Sequence, residues 1–302
     1  MRFTKMEGAG NDYIYFDCMS DTTGELQEKI IPHIEKLSDR HFGIGGDGVV
    51  LICPSKVADA RMRMYNIDGS EGKMCGNATR CIGKFLYDNG YVKDTTCTLE
   101  TLSGIKIINL KLENGKVTGA TVNMGKQITN PKDIPMNLDL IKPGYEKQVV
   151  AMPYVIDGKE YLITGVSMGN PHNIIFMDEN VLNLDLEKMG PKFENDPIFP
   201  ERVNTEFINV IGPNELRMRV WERGSGETLA CGTGSCAVGV ASILNKKVDP
   251  SKPILIHLIG GDLIIEVKED GVFMTGPATV AFTGEVEIDW GAKWKLIRII
   301  MI

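Results

Sequence analysis

The sequence has no long apolar run. None approaches the ~18 consecutive apolar residues of a membrane-spanning helix, so no membrane partner is expected. The opening stretch to Cys18 carries Glu7, Asp12 and Asp17 and lacks a leader-like apolar core, which makes the cytoplasm the expected location. An excess of basic charge is missing too. The net charge of −7 argues against a nucleic-acid partner, which needs a basic surface to neutralise phosphates. Metal patterns are absent: there is no CxxC pair or His/Cys cluster, and the spacings of Cys75 to Cys81 and Cys231 to Cys236 do not suit zinc. No metal is therefore expected. The segment Gly43-Ile44-Gly45-Gly46-Asp47-Gly48 is glycine-rich but no Walker lysine follows it, and it is read as no phosphate cradle. The seven cysteines, at 18, 53, 75, 81, 97, 231 and 236, are an odd number in a long chain. That opposes a disulfide framework and favours reduced thiols.

What is present is enough chain for two ordinary domains, 302 residues, with many short apolar–polar alternations of the half-buried strand type. The alternation over 105–112 runs into Asn114-Gly115. Segments 154–156 and 161–163 flank Asp157-Gly158, and 254–259 and 263–267 flank Gly260-Gly261-Asp262. These are hairpin signals, because such turn residues tolerate the positive φ that tight turns demand. Helical patterns are fewer, at about 77–87, 233–244 and 25–37. Mostly antiparallel strands with a few helices predict an α+β fold.

The chain also repeats itself. Arg61-Met62-Arg63-Met64-Tyr65-Asn66 matches Arg217-Met218-Arg219-Val220-Trp221-Glu222 at an offset of 156 residues. The same offset, ungapped, pairs Glu71 with Glu227, Cys75 with Cys231, Gly76 with Gly232 and Thr79 with Ser235. A fainter echo, offset by 159, pairs Gly10-Asn11 with Gly169-Asn170. A match that continues through strand, turn and cysteine predicts two similar domains. Their boundary is expected near Gln127–Pro135, where the hairpin pattern gives way to a Pro- and Asn-rich segment.

Each repeated cysteine stands just before a predicted helix, in Cys75-Gly76-Asn77-Ala78 and Cys231-Gly232-Thr233-Gly234. A helix start carries partial positive charge and unpaired N–H groups, which lower a thiol pKa and suit a carboxylate. The glycines allow close approach to the backbone. Two such bases suggest proton removal from one face of a carbon beside a carboxylate and delivery to the other, which is racemisation or epimerisation. Without a cofactor as electron sink, directed hydrogen bonds in a dry site must stabilise the carbanion. A papain-like nucleophile with His172 as partner leaves the duplication unexplained. Cys81 and Cys236 read as core.

At these residues the sequence resembles the diaminopimelate epimerase family. The resemblance rests on Gly8-Ala9-Gly10-Asn11-Asp12, Tyr65-Asn66-Ile67-Asp68-Gly69-Ser70-Glu71, Met74-Cys75-Gly76-Asn77 and Gly169-Asn170-Pro171-His172. It rests also on Trp221-Glu222-Arg223-Gly224-Ser225-Gly226-Glu227 and Ala230-Cys231-Gly232-Thr233-Gly234. Proline racemases share the paired cysteines but lack the Glu-Arg-Gly-x-Gly-Glu and Gly-Asn-Pro-His elements. The resemblance implies two pseudo-symmetric domains, each a curved, mostly antiparallel sheet around a central helix, over residues 1–129 with a returning tail 277–302, and 130–276. It implies cofactor-independent interconversion of LL- and meso-diaminopimelate, for lysine and peptidoglycan precursors. Cys75 and Cys231 are then the catalytic pair. Gly76, Asn77, Gly232 and Thr233 hold the reacting carboxylate, and Asn11, Asn66, Asn170, Asn204, Glu222 and Arg223 bind the remaining polar groups. His172 and Glu222 tune the cysteine pKa values. Glu71 and Glu227 are left as turn caps.

Two departures stand out. Gly48 occupies the place of a family glutamine that helps bind substrate, and the usual Gly-Asn-Gly-Ala-Arg reads Gly76-Asn77-Ala78-Thr79-Arg80. The tail beyond Gly284, with Trp290 and Trp294, is longer than usual and reads as an edge strand or a subunit contact, the latter making a homodimer. A redox or binding protein with paired thiols, and another cofactor-free isomerase such as a proline-type racemase, are the competing readings.

Overall fold

The structure is a computed structural model, and the residues described are 1–287 and 298–301. The chain forms two compact units, Met1–Val122 with the segment returning from Gly276, and Asn123–Thr275. The first unit carries β1 (Arg2–Gly8), β2 (Asn11–Asp17), β3 (Gly48–Cys53), β4 (Ala60–Asn66), β5 (Glu71–Gly72), β6 (Thr96–Thr101), β7 (Gly104–Glu113) and β8 (Lys116–Asn123). Its lateral order is β1-β2-β3-β4-β6-β7-β8, antiparallel except at β2/β3 and β4/β6.

The second unit carries β9 (Met152–Ile156), β10 (Lys159–Ser167), β11 (Pro171–Phe176), β12 (Asn204–Gly212), β13 (Glu215–Glu222), β14 (Gly226–Thr228), β15 (Ile254–Leu258), β16 (Gly261–Lys268) and β17 (Gly271–Pro277). Its order is β10-β11-β12-β13-β15-β16-β17, with parallel steps at β11/β12 and β13/β15. The same succession of steps occurs in both units, so the sequence repeat marks a duplicated topology. Even the outer strand matches: β18 (Thr279–Glu287) pairs with β1 as β9 pairs with β10. Backbone of β19 (Arg298–Met301) adds antiparallel to β18. Trp290, Trp294 and residues 295–297 of the tail lie outside the described residues.

The hairpins form where turn chemistry placed them. Asn114 and Gly115 take φ of 52° and 74°, and Asp157 and Gly158 take 51° and 77°, the paired positive values of a type I′ turn. Both strand faces are covered, so β3 is buried at all its positions and reads as an unbroken apolar run rather than an alternation. One cover in the first unit is α1 (Glu25–Ile30) and α2 (Ile34–Ser38), which set Ile30, Ile34 and Leu37 against Ile14, Phe16, Val49 and Leu51.

The other cover is the helix that follows the repeated cysteine. Helix α3 (Gly76–Asp88) packs on β1, β2 and β7, and a later helix (Gly232–Leu244) packs on β10, β11, β12 and β16. A glycine brings each onto its sheet: a Cβ at Gly83 would stand 2.8 Å from Ile108, and one at Gly239 would stand 2.6 Å from Ile265. Between them in the chain lies α4 (Leu186–Glu194), which no sequence pattern announced because Pro191 sits inside it. Asp185 caps it through the Lys188 N–H. Gly190 lets it lie on Trp221, whose ring is 2.2 Å from the place of a Cβ. The helix over Gly232–Leu244 is therefore α5.

Candidate active site

Each half of the candidate site begins with a short hairpin that runs into a cysteine. In the first unit Arg63 on β4 forks onto Glu71 on β5, with N–O distances of 2.9 and 3.1 Å. In the second, Arg219 on β13 forks onto Glu227 on β14 at 2.7 and 2.8 Å. Bidentate geometry fixes orientation as well as distance. Glu71 and Glu227 are thus more than turn caps: with their arginines they pin the strand that delivers the cysteine. The next duplicated device is on the helix. Thr79 and Ser235 each return a hydroxyl to the carbonyl of the cysteine four residues back, at 2.9 Å in both units.

Cys75 and Cys231 are the N-cap residues of α3 and α5, in extended backbone. The first helical bonds run from Thr79 N–H to Cys75 O and from Ser235 N–H to Cys231 O. The N–H groups of Gly76, Asn77, Gly232 and Thr233 thus precede the helices' own bonding, as expected for an anion-binding helix start.

The two sulfurs have different surroundings. Cys75 Sγ donates to Asn11 Oδ1 at 3.3 Å, and Asn77 Nδ2 reaches the same oxygen at 3.4 Å. Asn11 is held from behind by Asp47, whose Oδ2 accepts from its Nδ2 at 2.6 Å. Asp47 also accepts from Arg40, and Arg40 forks onto Asp12, which pairs with the buried Lys5. Asn77 is tied by its Oδ1 to Arg80, a wholly buried cation that also donates to the Pro277 carbonyl.

Cys231 is buried, and its sulfur accepts from the Gly234 N–H at 3.3 Å and lies 3.6 Å from the Thr233 hydroxyl. Asn170 Nδ2 donates to Thr233 Oγ1 at 3.3 Å, and Asn170 Oδ1 is 3.1 Å from His172 Nε2. His172 Nδ1 is 2.7 Å from Glu206 Oε1. Contrary to the lowering expected of a helix start, the Cys231 thiol is pushed well above its ordinary value. Burial is the main cause, the carboxylates of Glu222 and Glu206 add to it, and the Thr233 hydroxyl and Gly234 N–H oppose it only partly. Burial also raises the Glu222 carboxyl, against the Thr228 hydroxyl, which donates to it at 2.5 Å, and the nearby His172.

The remaining expected residues divide into two kinds. Asn204 is buried and structural in its contacts: Nδ2 donates to Pro171 O, and Oδ1 accepts the Arg223 N–H. It stands beside His172 in the β11/β12 register. The Arg223 guanidinium donates to Glu201 O. Asn66 is exposed at the end of β4, where its Nδ2 donates to Ser70 Oγ. Gly48 pairs with Asn66 in register, and a Cβ there would lie 1.9 Å from Tyr65 O. Only glycine fits this place.

The sequence profile of the diaminopimelate epimerase family matches residues 3–129 and 164–281. The chain belongs to the diaminopimelate epimerase family. It is 51% identical to the diaminopimelate epimerase of Acetivibrio thermocellus, over 96% of this chain and 99% of that one. It is 50% identical to the one from Methanococcus maripaludis strain S2 / LL, over 95% and 100%. Among solved structures it is similar to a probable proline racemase from Agrobacterium radiobacter K84, with a TM-score of 0.66, 13% identity and 97% and 94% coverage. It is also similar to a hydroxyproline epimerase from Agrobacterium vitis, with a TM-score of 0.65, 14% identity and 94% and 91% coverage. At such identities the likeness is one of fold.

Within this diaminopimelate epimerase fold the sequence reading missed Glu206, Asp47 and Arg80. Glu206 had a signal: it lies two residues past Asn204, hence on the same strand face. Asp47 was hidden in the glycine-rich loop. Residues 43, 45 and 48 do carry the spacing of a dinucleotide fingerprint, but the loop leads into strand β3 and not into a helix, so no helix start awaits a phosphate there. His172, Glu206 and Cys231 form the one cluster of metal-ligand type among the described residues, with ligand atoms within 4.8 Å of one another. The 2.7 Å between His172 and Glu206 is a hydrogen-bond distance; two ligands on one tetrahedral zinc stand about 3.3 Å apart. Among the described residues no helix is long and apolar enough to cross a membrane.

Proposed function

We propose that this chain interconverts LL- and meso-diaminopimelate by moving protons between the substrate α-carbon and its two cap cysteines, with no cofactor. One cysteine, as thiolate, takes the α-proton. The other, as thiol, gives its own proton to the opposite face, so that one C–H bond breaks and another forms. Charge developing on the α-carboxylate is met by the helix-start N–H groups at Gly76, Asn77, Gly232 and Thr233. Asn11, Asn66, Asn170, Asn204, Glu222 and Arg223 bind the substrate's other polar groups, and His172 and Glu222 set the readiness of Cys231.

The observation that carries this reading is the duplication. Two units of the same topology each place a cysteine at the N-cap of a buried helix, fixed by the same Arg–Glu fork and hydroxyl return. A single-nucleophile mechanism has no use for the second copy. The test is incubation of the reduced protein with LL-diaminopimelate, then chiral chromatography. Formation of the meso isomer without added cofactor supports the reading. Turnover of proline and not of diaminopimelate assigns the chain to the racemase alternative.

A further inference from the structure

Asn11 and Asn170, the asparagines paired by the fainter repeat, present opposite amide edges towards their cysteines. Asn170 gives its oxygen to the His172 side and turns its NH2 group to Thr233, which stands beside Cys231. Asn11 does the reverse. Its NH2 group faces Asp47 and its oxygen faces the Cys75 sulfur. The choice at Asn11 follows from chemistry: an ionised carboxylate only accepts, so the amide edge that meets Asp47 must be the donor. Asp47 is itself fixed by the Asp12 N–H at 3.0 Å and by Arg40 at 2.8 Å.

We propose that Asp47 is a positioning residue for Cys75: by holding the NH2 edge of Asn11 it turns a pure acceptor onto the sulfur and keeps that cysteine protonated. A carbonyl oxygen 3.3 Å from sulfur is bonded by S–H and repels S⁻. The proposal rests on the reading of Cys75 as one of the two proton-transfer groups, and it concerns only the proton that Cys75 holds before substrate binds. The other groups around the sulfur do not depend on Asp47. Tyr15 on β2 and Cys81 on α3 lie near Cys75, Arg80 and Glu7 lie beside Cys81, and Arg40 has a fork onto Asp12 besides its bond to Asp47.

The test is the pH dependence of iodoacetamide alkylation at Cys75, read by peptide mass spectrometry, which needs no turnover. Asp47→Ala frees Asn11 to present its NH2 edge. Asp47→Asn loses the same charge but keeps an oxygen for the Asn11 NH2 and the Asp12 N–H. Asp47→Ala is expected to alkylate about tenfold faster near neutral pH, corresponding to about one pKa unit, and Asp47→Asn to stay within about twofold of wild type. Asn11→Ala, which deletes the acceptor, should behave as Asp47→Ala does and serves if that variant loses its fold by circular dichroism. An unchanged profile in Asp47→Ala or in Asn11→Ala overturns the proposal. Equal shifts in Asp47→Ala and Asp47→Asn overturn it too, since charge and not orientation would then be acting. Normal turnover by Cys75→Ala would instead overturn the proposed function and leave the alkylation result standing.

Discussion

His172 Nδ1 lies 2.7 Å from Glu206 Oε1, and both side chains are wholly buried. The second carboxyl oxygen, Oε2, has no partner among the described residues. Such a pair is weak evidence for net stability, but removing one member strands the other in a dry interior. His172→Leu is therefore expected to destabilise the protein by about 3 kcal/mol or more. His172→Leu/Glu206→Leu should recover part of that loss, with coupling of about 1 kcal/mol or more. Urea unfolding of the four proteins checks this. Additive losses contradict it.

Glu206 also bears on rate. In the proposed mechanism Cys231 takes a proton as thiolate, and burial together with the Glu222 and Glu206 carboxylates holds its proton on. Turnover that uses this base must therefore rise with pH on the alkaline side. Glu206→Gln removes one negative neighbour and lowers the Cys231 pKa, so the rising limb of kcat/KM moves to lower pH. A limb that stays in place, or moves to higher pH, contradicts the charge distribution described for Cys231.

Restoring the family glutamine at position 48 should harm the protein. A Cβ there would stand 1.9 Å from the Tyr65 carbonyl and 3.0 Å from the Tyr13 ring, so β3 and β4 must part to admit any side chain. Gly48→Gln is expected to cost about 2 kcal/mol or more, as overpacking against backbone does, and to lower turnover by shifting Asn66. A variant with unchanged Tm and a lower KM would show instead that the strands yield and a substrate contact is gained.

The parts of this protein that were legible in its sequence are those specified locally. Asn114-Gly115 and Asp157-Gly158 announced their hairpins because tight turns need positive φ. The two cysteines announced themselves because a duplicated strand, turn and helix start stands out against one chain. What stayed hidden was made by tertiary contact. Helix α4 carries a proline and owes its place to Gly190 against Trp221. Glu206 meets His172 across the β11/β12 pairing from far along the chain. The raised thiol of Cys231 reverses a local rule: the helix start favours S⁻, and burial beside two carboxylates outweighs it. Charge balance at a buried group depends on every element packed around it, and spacing does not encode that.

In the proposed mechanism Cys75 and Cys231 handle separate protons, one cysteine acting as base and the other as acid in each turnover. Thiol protons exchange with water while the enzyme is free, so the proton delivered to product comes from solvent. The abstracted proton leaves on the other sulfur. The direct measurement is epimerisation of LL-diaminopimelate in D2O, sampled over the first few per cent of conversion by NMR or mass spectrometry. Cys75→Ala and Cys231→Ala serve as controls that should each be inactive with unchanged circular dichroism. The account predicts deuterium at the α-carbon of nearly every new meso molecule, while recovered LL substrate stays largely unlabelled. Product that retains substantial protium, or substrate that labels as fast as product, would mean that one group serves both faces and would contradict the two-cysteine mechanism.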